Sequence, residues 1–490
     1  MAYAGLGQAA DKGAGLLERF LRRPEAAPIV VVLLWACAVF PNFPLRSFIY
    51  EEGTNAGIGR DVWAHGHFLV PILYGIPWHE KPSLFPWLIA GAAAVTGQVN
   101  EWSARLPAMI SVLLTALLVQ QLTRRYASLQ ASLFAALCFL FAPLLLQKLT
   151  IAEPDTVIAL LSFAAFVVWW NGIAAGGVSI LRWIVCGLLL AALAMAKGPQ
   201  PAGFFALGTA AYLILERRWR DLPGWILCMV LPLAATVAWG AAVYQKGDEI
   251  QWLNYARLNW PYPTLFRYIA SNGRSTVSLL LELLPATLIL PFVVSAWRRN
   301  RTGLASAPIV GPLLLYSGLC TAALVVWPGF ATRYAMPIAP SMAVLAGIGW
   351  DLLAKSDHFL WRRIAGTVLG ALIVYQLVLV TVMVPVFSGR FGASRIEGLA
   401  LDRAIGADAA PAYCFDYNRI DTNTMFYVRK PLHCGFDEKS VTPPAWLLIP
   451  RADVATFARL RPDLDVRTDV ETSWGAQLAA VRIDKKSNEK

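Results

Sequence analysis

The sequence predicts an all-α, polytopic membrane protein that ends in a small α/β domain. Three observations carry that reading. The chain of 490 residues is 57% hydrophobic and only 15% charged, against about 45–50% apolar and about 25% charged in soluble domains. Its mean hydropathy is +0.53. Apolar runs recur from residue 27 to residue 387, most of them near the ~20 residues that a spanning helix needs. Arginine clusters punctuate these runs at 19–23, 124–125, 217–220, 298–301 and 362–363. The 19 Trp residues suit a protein with many membrane–water interfaces, where amphipathic rings settle.

Taken in order, residues 1–27 contain Leu16-Leu17-Glu18-Arg19-Phe20-Leu21-Arg22-Arg23, the pattern of a short amphipathic helix lying on the membrane. The first span is expected from about Ala27 to Phe43. The basic residues before it put the N-terminus in the cytoplasm. No small-residue cleavage site follows it, so it reads as a retained span. Residues 44–98 then form a first external loop. Within it, 84–97 is apolar but short and carries Pro86. It reads as a juxtamembrane or re-entrant helix, not a crossing.

Further spans are expected at about 104–122, 129–147, 156–171, 183–196, 200–215, 223–244, 276–296, 307–327, 332–353 and 364–387. That makes about 11 transmembrane helices, with up to 13 if a short pair is added. The count keeps every arginine cluster on the cytoplasmic side, as the positive-inside rule requires. A crossing at 84–97 would move all the later clusters outside. Residues 245–275 form a second large external loop. The chain thus divides into 1–388, the membrane part, and 389–490, an external α/β domain, periplasmic on the resemblance given below. The latter has short apolar runs, Trp446-Leu447-Leu448-Ile449 and Ala479-Ala480-Val481, between turn signals. Cys414 and Cys434 lie in this tail and can pair if it faces an oxidising compartment. The other five Cys lie in apolar segments and read as packing residues.

The formal charge of +11 would suggest nucleic acid in a soluble protein. Here the excess Arg orients spans, and no nucleic-acid partner is expected. There is no GxxxxGK[ST], GxSxG or HExxH, so nucleotide chemistry and serine or zinc hydrolysis lack their motifs. No His/Cys cluster has zinc spacing. No cofactor is expected to be required, and a divalent metal is left open.

What stands out is the external face. Tyr50-Glu51-Glu52-Gly53, Arg60, Asp61, His79, Glu80 and Lys81 lie in the first loop. Lys148, Glu153 and Asp155 flank the fourth span, and Lys197 ends the fifth. Arg257, Arg267 and Arg274 lie in or next to the second loop, and Arg333-Tyr334 begins a later span. Each has a plain reading alone: solvated loop acids, acids near a helix N-terminus, or snorkelling bases. Together they converge on one membrane face from six segments, where ionisable groups are costly and usually functional. The chemistry that suits them is group transfer from a lipid phosphate. A carboxylate accepts the proton of an attacking hydroxyl. Arg and Lys hold the phosphate and stabilise the charge that develops on it.

The same blocks resemble the GT-C polyprenyl-phosphate glycosyltransferases, nearest to the aminoarabinose lipid A transferases and the bacterial relatives of protein O-mannosyltransferases. Tyr50-Glu51-Glu52-Gly53 with Ala56 and Arg60 is similar to their first-loop Asp-Glu motif. Glu80-Lys81-Pro82 with Leu84 and Trp87 is similar to Glu-Lys-Pro-Pro-Leu-x-x-Trp. Ser103-Ala104-Arg105-Leu106-Pro107, Glu153-Pro154, Lys197-Gly198-Pro199 and Arg333-Tyr334 with Pro337 and Pro340 follow in the family's order. Glu stands at 51 and 153 where the family usually has Asp, and Thr54-Asn55 replaces the Arg-Tyr of the aminoarabinose branch.

The resemblance implies a GT-C fold and an inverting glycosyltransferase. Glu51 would be the base or acceptor-orienting acid, with Glu52 beside it and Glu153 as the second acid. Lys81 would hold the donor phosphate. Arg60, Lys197, Arg257 or Arg267, and Arg333 with Tyr334 would support phosphate or lipid. Glu80 and Asp155 complete the set on the acceptor side. The implied partners are a polyprenyl-phosphate-linked sugar donor, membrane lipids and a glycolipid acceptor such as lipid A or lipopolysaccharide core. The implied place is the bacterial inner membrane. A protein acceptor is the near alternative. A transporter or lipid flippase is the alternative of another class. It would need charges deep within spans and symmetry between halves, and neither is seen in the sequence.

Overall fold

The computed structural model describes residues 26–244, 262–299, 308–354, 358–406, 408–414, 420–435, 441–473 and 477–486. Most of the proposed surface helix within 1–27, Arg257, and part of the 298–301 cluster lie outside them.

Apolar runs bounded by polar caps or prolines fold as helices. In chain order they are α1 (Ala26–Val39), α2 (Glu52–His65), α3 (Leu84–Thr96), α4 (Glu101–Arg124), α5 (Leu129–Leu140), α6 (Asp155–Ala174), α7 (Ile180–Lys197), α8 (Gln200–Leu215), α9 (Leu222–Tyr244), α10 (Leu265–Glu282), α11 (Ala286–Arg299), α12 (Val310–Val326), α13 (Ala339–Ala354), α14 (Phe359–Val378), α15 (Ala393–Gly406) and α16 (Arg451–Leu460). The start of α4 shows how a boundary is set. The Asn100 side chain accepts from the Trp102 and Ser103 amides, and Ser103 Oγ accepts from the Asn100 amide at 2.8 Å. Such reciprocal capping satisfies amides that have no partner inside the helix.

The chain is a multi-pass membrane protein. Among the described residues, seven helical segments are long and apolar enough to cross a membrane, or eight if α10 and α11 count as one bent span. Helices α3, α5, α8 and α12 are apolar but shorter. Eleven spans, as expected from the sequence, would need α5, α8 and α12 to cross and α3 to stay out.

One expected span needs correction. The run 276–296 is not a straight helix: α10 and α11 meet at 93°. Pro285 has no N–H with which to continue the first helix, and Glu282 at its end accepts a hydrogen bond from Thr332 Oγ1 at 2.9 Å. Residues 265–275, expected as loop, are the first half of α10. That helix exposes Leu265, Phe266 and Ile269.

One apolar core joins α1 with α4 through α14. A second fills the C-terminal sheet, whose strands are β3 (Ala412–Cys414), β4 (Leu432–Cys434), β5 (Ala445–Pro450), β6 (Leu464–Glu471) and β7 (Leu478–Lys485). A short hairpin, β1 (Ile72–Leu73) and β2 (Ile76–Pro77), precedes them in the first loop. The sheet order is β4-β3-β5-β7-β6, parallel on either side of β3 and antiparallel on either side of β7. The run Trp446–Ile449 is buried throughout, as a central strand covered on both faces requires. Cys414 and Cys434 stand opposite each other on β3 and β4 and are disulfide-bonded.

A third apolar cluster locks the sheet domain onto the first loop. Phe48, Ala56, Phe85 and Ile89 pack there with Phe426 and Tyr427. Polar contacts fix the register: the Gly53 amide donates to Asn423 Oδ1 at 2.9 Å, and Thr54 and Thr422 hydroxyls meet at 2.9 Å. The backbones approach so closely that a Cβ on Gly53 would lie 2.4 Å from the Thr422 carbonyl oxygen. Gly53→Ala is therefore expected to destabilise the protein by about 1–3 kcal/mol through overpacking, read as an earlier denaturant midpoint in mixed micelles.

Candidate active site

The site begins with a strained turn. Tyr50 sits at φ +53, in the left-handed region that bulky residues rarely enter. Asn423 Nδ2 holds it there, donating to the Tyr50 carbonyl at 2.8 Å. The next two residues, identical in chemistry, meet opposite environments.

Glu52 is 0% exposed. Arg105 grips it with both prongs, Nε to Oε1 at 2.6 Å and Nη2 to Oε2 at 2.7 Å. The Ile49 and Ala152 amides donate to the same carboxylate at 3.0 and 2.7 Å. Arg105 donates two further N–H groups to the Arg46 and Ser47 carbonyls. No acceptor site on Glu52 is left for a substrate. The expectation that Glu52 shares the catalytic role is corrected: it ties the first loop to α4 and to residue 152.

Glu51 is 37% exposed and ion-paired to Lys81, with Arg333 Nη1 3.7 Å from its other oxygen. Lys81 is also 3.9 Å from Glu80. A second string runs beside it. Lys148 pairs with Glu153 and lies 3.4 Å from Asp155, which pairs with Lys197. Tyr334 joins the two strings, its ring 5.4 Å from the Lys197 ammonium and 5.8 Å from the Arg333 guanidinium. Each position has a local cause. Asp155 opens α6, where the helix dipole favours an acid, and Lys197 closes α7, where it favours a base. Pro199 then starts α8. The acids Glu51, Glu80, Glu153 and Asp155 number four, and so do the bases Lys81, Lys148, Lys197 and Arg333, so the cluster is charge-balanced. Beside it a cleft is walled by Phe204, Pro201 and Pro337 and rimmed by Lys197, Arg333 and Tyr334.

Burial pushes the Glu51 carboxyl upward, but Lys81, Arg333 and Lys197 outweigh it and hold it below its ordinary value. Burial pulls Lys81 down, and Glu51 more than reverses this, leaving it raised. Glu51 thus contributes stability above its ordinary value, lost as pH falls through the depressed one. Lys81 contributes below its ordinary value, lost as pH rises through the raised one. Their pair is intact across the window between. Glu153 goes the other way: burial dominates over Lys148 and raises it. Its Oε1 and Arg333 Nε are buried without a hydrogen-bond partner among the described residues. An orphaned acceptor and an orphaned donor in one cluster call for a ligand or water that can satisfy them.

Other expected residues lie elsewhere. Arg60 donates to the Phe426 carbonyl at 2.8 Å and stacks 3.7 Å over the Phe426 ring, so it fastens the sheet domain and does not face the cluster as a phosphate ligand. Arg267 is exposed in the first turn of α10, and no contact among the described residues joins it to the cluster. Arg257 lies outside the described residues. Asn55 Nδ2 bridges the Glu51 and Ala152 carbonyls at 3.0 Å each, so the Thr54-Asn55 departure is used for joining loops. Lys148 was expected only as one of the converging external charges, with no role of its own, and Asn423 was missed. For Lys148 the signal was its spacing of five from Glu153; Asn423 left none. Asp61 collects His65 and His67 into a group that could hold a metal ion, which the search for zinc spacing did not reveal. It lies ten residues along α2 from Glu51, about 15 Å at 1.5 Å per residue.

Comparison with known proteins supports the resemblance. Residues 80–240 match the family model for dolichyl-phosphate-mannose-protein mannosyltransferases. The chain is 26% identical over 336 residues to the undecaprenyl phosphate-alpha-4-amino-4-deoxy-L-arabinose arabinosyl transferase of Pseudomonas aeruginosa (strain UCBPP-PA14), covering 64% of this chain and 58% of that protein. A counterpart in Edwardsiella ictaluri is 27% identical, with 65% and 58% covered. The matched stretch thus spans under two thirds of those relatives. The crystal structure of ArnT from Cupriavidus metallidurans bound to undecaprenyl phosphate superposes with a TM-score of 0.69 at 18% identity, covering 94% of this chain and 97% of that one. The oligosaccharyltransferase of Archaeoglobus fulgidus with Zn and sulfate gives 0.52 at 13% identity, covering 84% and 62%. The fold is the GT-C fold.

The two glutamates separate under mutation. Glu52→Gln leaves Arg105 buried without its counter-charge and is expected to cost about 3–5 kcal/mol. Glu51→Gln is expected to change stability by no more than about 1 kcal/mol. Denaturant unfolding of both variants checks this; equal losses would refute the division.

Proposed function

We propose that this chain, a relative of the GT-C polyprenyl-phosphate glycosyltransferases, transfers a sugar from a polyprenyl phosphate to an envelope glycolipid, lipid A before other acceptors. The observation that carries the reading is Glu51. It is a partly exposed carboxylate held ionised by Lys81 and Arg333, and Arg333 in turn rims a cleft whose wall is apolar.

The acceptor oxygen attacks the anomeric carbon of the sugar, and the bond from that carbon to the phosphate oxygen breaks. The lipid phosphate leaves with the electron pair, and Glu51 takes the acceptor's proton. Lys81, Arg333 and Lys197 meet the charge that develops on the phosphate. The lipid chain lies along Phe204, Pro201 and Pro337. Glu153, with one oxygen unsatisfied, orients a hydroxyl of sugar or acceptor. Asp155 keeps Lys148 and Lys197 in place. Because the cluster is already neutral, the donor phosphate has to draw Lys81 or Arg333 away from Glu51, which frees that carboxylate when substrate is present. No step requires a cofactor. On this reading the cluster faces the periplasm, the N-terminus is cytoplasmic, and residues 1–388 and 389–490 are the membrane and periplasmic domains.

The match of residues 80–240 to a protein mannosyltransferase family favours one second reading, transfer to protein. The test is reconstitution in liposomes with undecaprenyl phosphate-linked 4-amino-4-deoxy-L-arabinose carrying a label, offered lipid A or a Ser/Thr-rich peptide. Label is expected in lipid A, and label in peptide alone would establish the second reading. Glu51→Gln is expected to lower kcat by about 10²–10⁴-fold. Lys197→Met is expected to raise KM for the donor more than it lowers kcat.

The pH profile is a separate check. Because Glu51 is held below its ordinary value, activity is expected to rise with pH through an acid limb below the ordinary carboxylate range and to be flat above it. A limb shifted upward, toward neutrality, would identify Glu153 as the base instead.

A further inference from the structure

Helix α2 ends in a turn that gathers three ligand-type side chains. Asp61 and His65 stand at i and i+4 on one helix face. Gly66 follows at φ +74 and caps the helix, a backbone state that glycine enters without a steric penalty. The chain reverses there, and His67 returns to the same carboxylate. His65 Nδ1 lies 3.0 Å from Asp61 Oδ1, and His67 Nδ1 lies 2.7 Å from Asp61 Oδ2. The two rings stack at 5.8 Å. A ligand atom from each of the three residues lies within 4.8 Å of the others.

We propose that Asp61, His65 and His67 form a binding site for a zinc-class divalent cation. Two imidazoles and a carboxylate are the donor set of Zn²⁺ and its first-row neighbours, and not of Ca²⁺ or Mg²⁺, which take oxygen. Bonds of about 2.0–2.1 Å at tetrahedral angles put neighbouring ligand atoms about 3.3 Å apart. The present separations from Asp61 therefore need to open by only a few tenths of an ångström. Asp61 is 14% exposed, whereas His65 and His67 are 65% and 45% exposed, so the ion can enter from solvent and keep water in its remaining position.

The ion clamps the end of α2 to the segment that follows. The Phe68 carbonyl accepts from Trp87 Nε1 at 2.7 Å, and the Leu69 carbonyl accepts from Trp239 Nε1 at 3.1 Å. The chain then passes through the β1–β2 hairpin to Lys81. A cation at the turn thus fixes the start of the stretch that delivers Lys81 to the cluster. The proposal stands whether or not the transfer reaction is as described above.

The test uses the full chain in detergent, purified through a tag without histidine and stripped with a chelator. Titration with Zn²⁺ by calorimetry and with Co²⁺ by visible absorption is expected to show one saturable equivalent, with the intense d–d bands of a low-coordinate cobalt ion. Asp61→Asn and the double variant His65→Ala/His67→Ala are expected to lose that equivalent, and the single variant His67→Gln to weaken it. His433→Ala, an exposed histidine on β4, is expected to retain it. Zn²⁺ is expected to slow hydrogen exchange over 66–71 in the native chain and not in the double variant. No saturable equivalent, or one that survives in both the double variant and Asp61→Asn, overturns the proposal.

Discussion

The buried ion pair between Glu52 and Arg105 is the constraint on which the rest of the site depends. A carboxylate without exposure is tolerable only if its lone pairs are filled, and here Arg105 and two backbone amides fill them. Those donors come from the first loop, from α4 and from residue 152. Once the pair forms, Glu51 on one side and Glu153 on the other have little freedom left in relative position. The neighbouring glutamates therefore divide the work: one sets the geometry and the other faces the opening. The sheet domain adds a second restraint from outside, through Asn423 on the Tyr50 carbonyl and Arg60 on Phe426. The strained turn at Tyr50 is held from both directions.

The cluster beyond that bolt is dense in charge yet neutral in sum. Neutrality keeps eight ionisable groups tolerable next to an apolar bundle, where isolated charges are expensive. It also makes the groups responsive. On the reading proposed above, an arriving phosphate would compete with Glu51 for the same cations, so donor binding and release of the carboxylate would be one event. Lys148 and Asp155 are less open to this competition. Asp155 is held from two sides by Lys148 and Lys197, and both flank a helix N-terminus that stabilises the acid.

Much of this was legible in the sequence. Hydropathy and the arginine spacing gave most helix positions, and the short run at 84–97 folded as the short helix that its length implied. The motif blocks identified Glu51, Lys81, Glu153, Lys197 and Arg333 as residues that would meet across hundreds of positions. Two kinds of feature stayed hidden. Burial depends on partners far along the chain, so Glu52 looked equivalent to Glu51 until Arg105 was seen to cover it. Arg60 likewise looked like a phosphate ligand because Phe426, its actual partner, lies 366 residues away. The bend between α10 and α11 was missed because continuous hydropathy masked what Pro285 does to the hydrogen-bond ladder. The Asp61 group was missed because its third ligand arrives through a backbone reversal and not through helical spacing.

The longer acids at 51 and 153 acquire a reason from this geometry. Glu differs from Asp by one methylene, roughly 1.5 Å of reach. From the N-cap position just before α2, the Glu51 carboxylate spans to Lys81 on one oxygen and approaches Arg333 on the other. A shorter side chain anchored at the same strained turn would have to give up one of these unless the backbone moved with it. At 153 the extra length carries one oxygen to Lys148 while the other stays buried without a partner among the described residues. In each case the added methylene lets a single carboxylate serve two purposes: one oxygen neutralises a lysine and the other is directed elsewhere. The dimension that the extra methylene changes is the reach of each carboxylate from its backbone, and that reach is what lets one oxygen keep its lysine while the other is placed elsewhere.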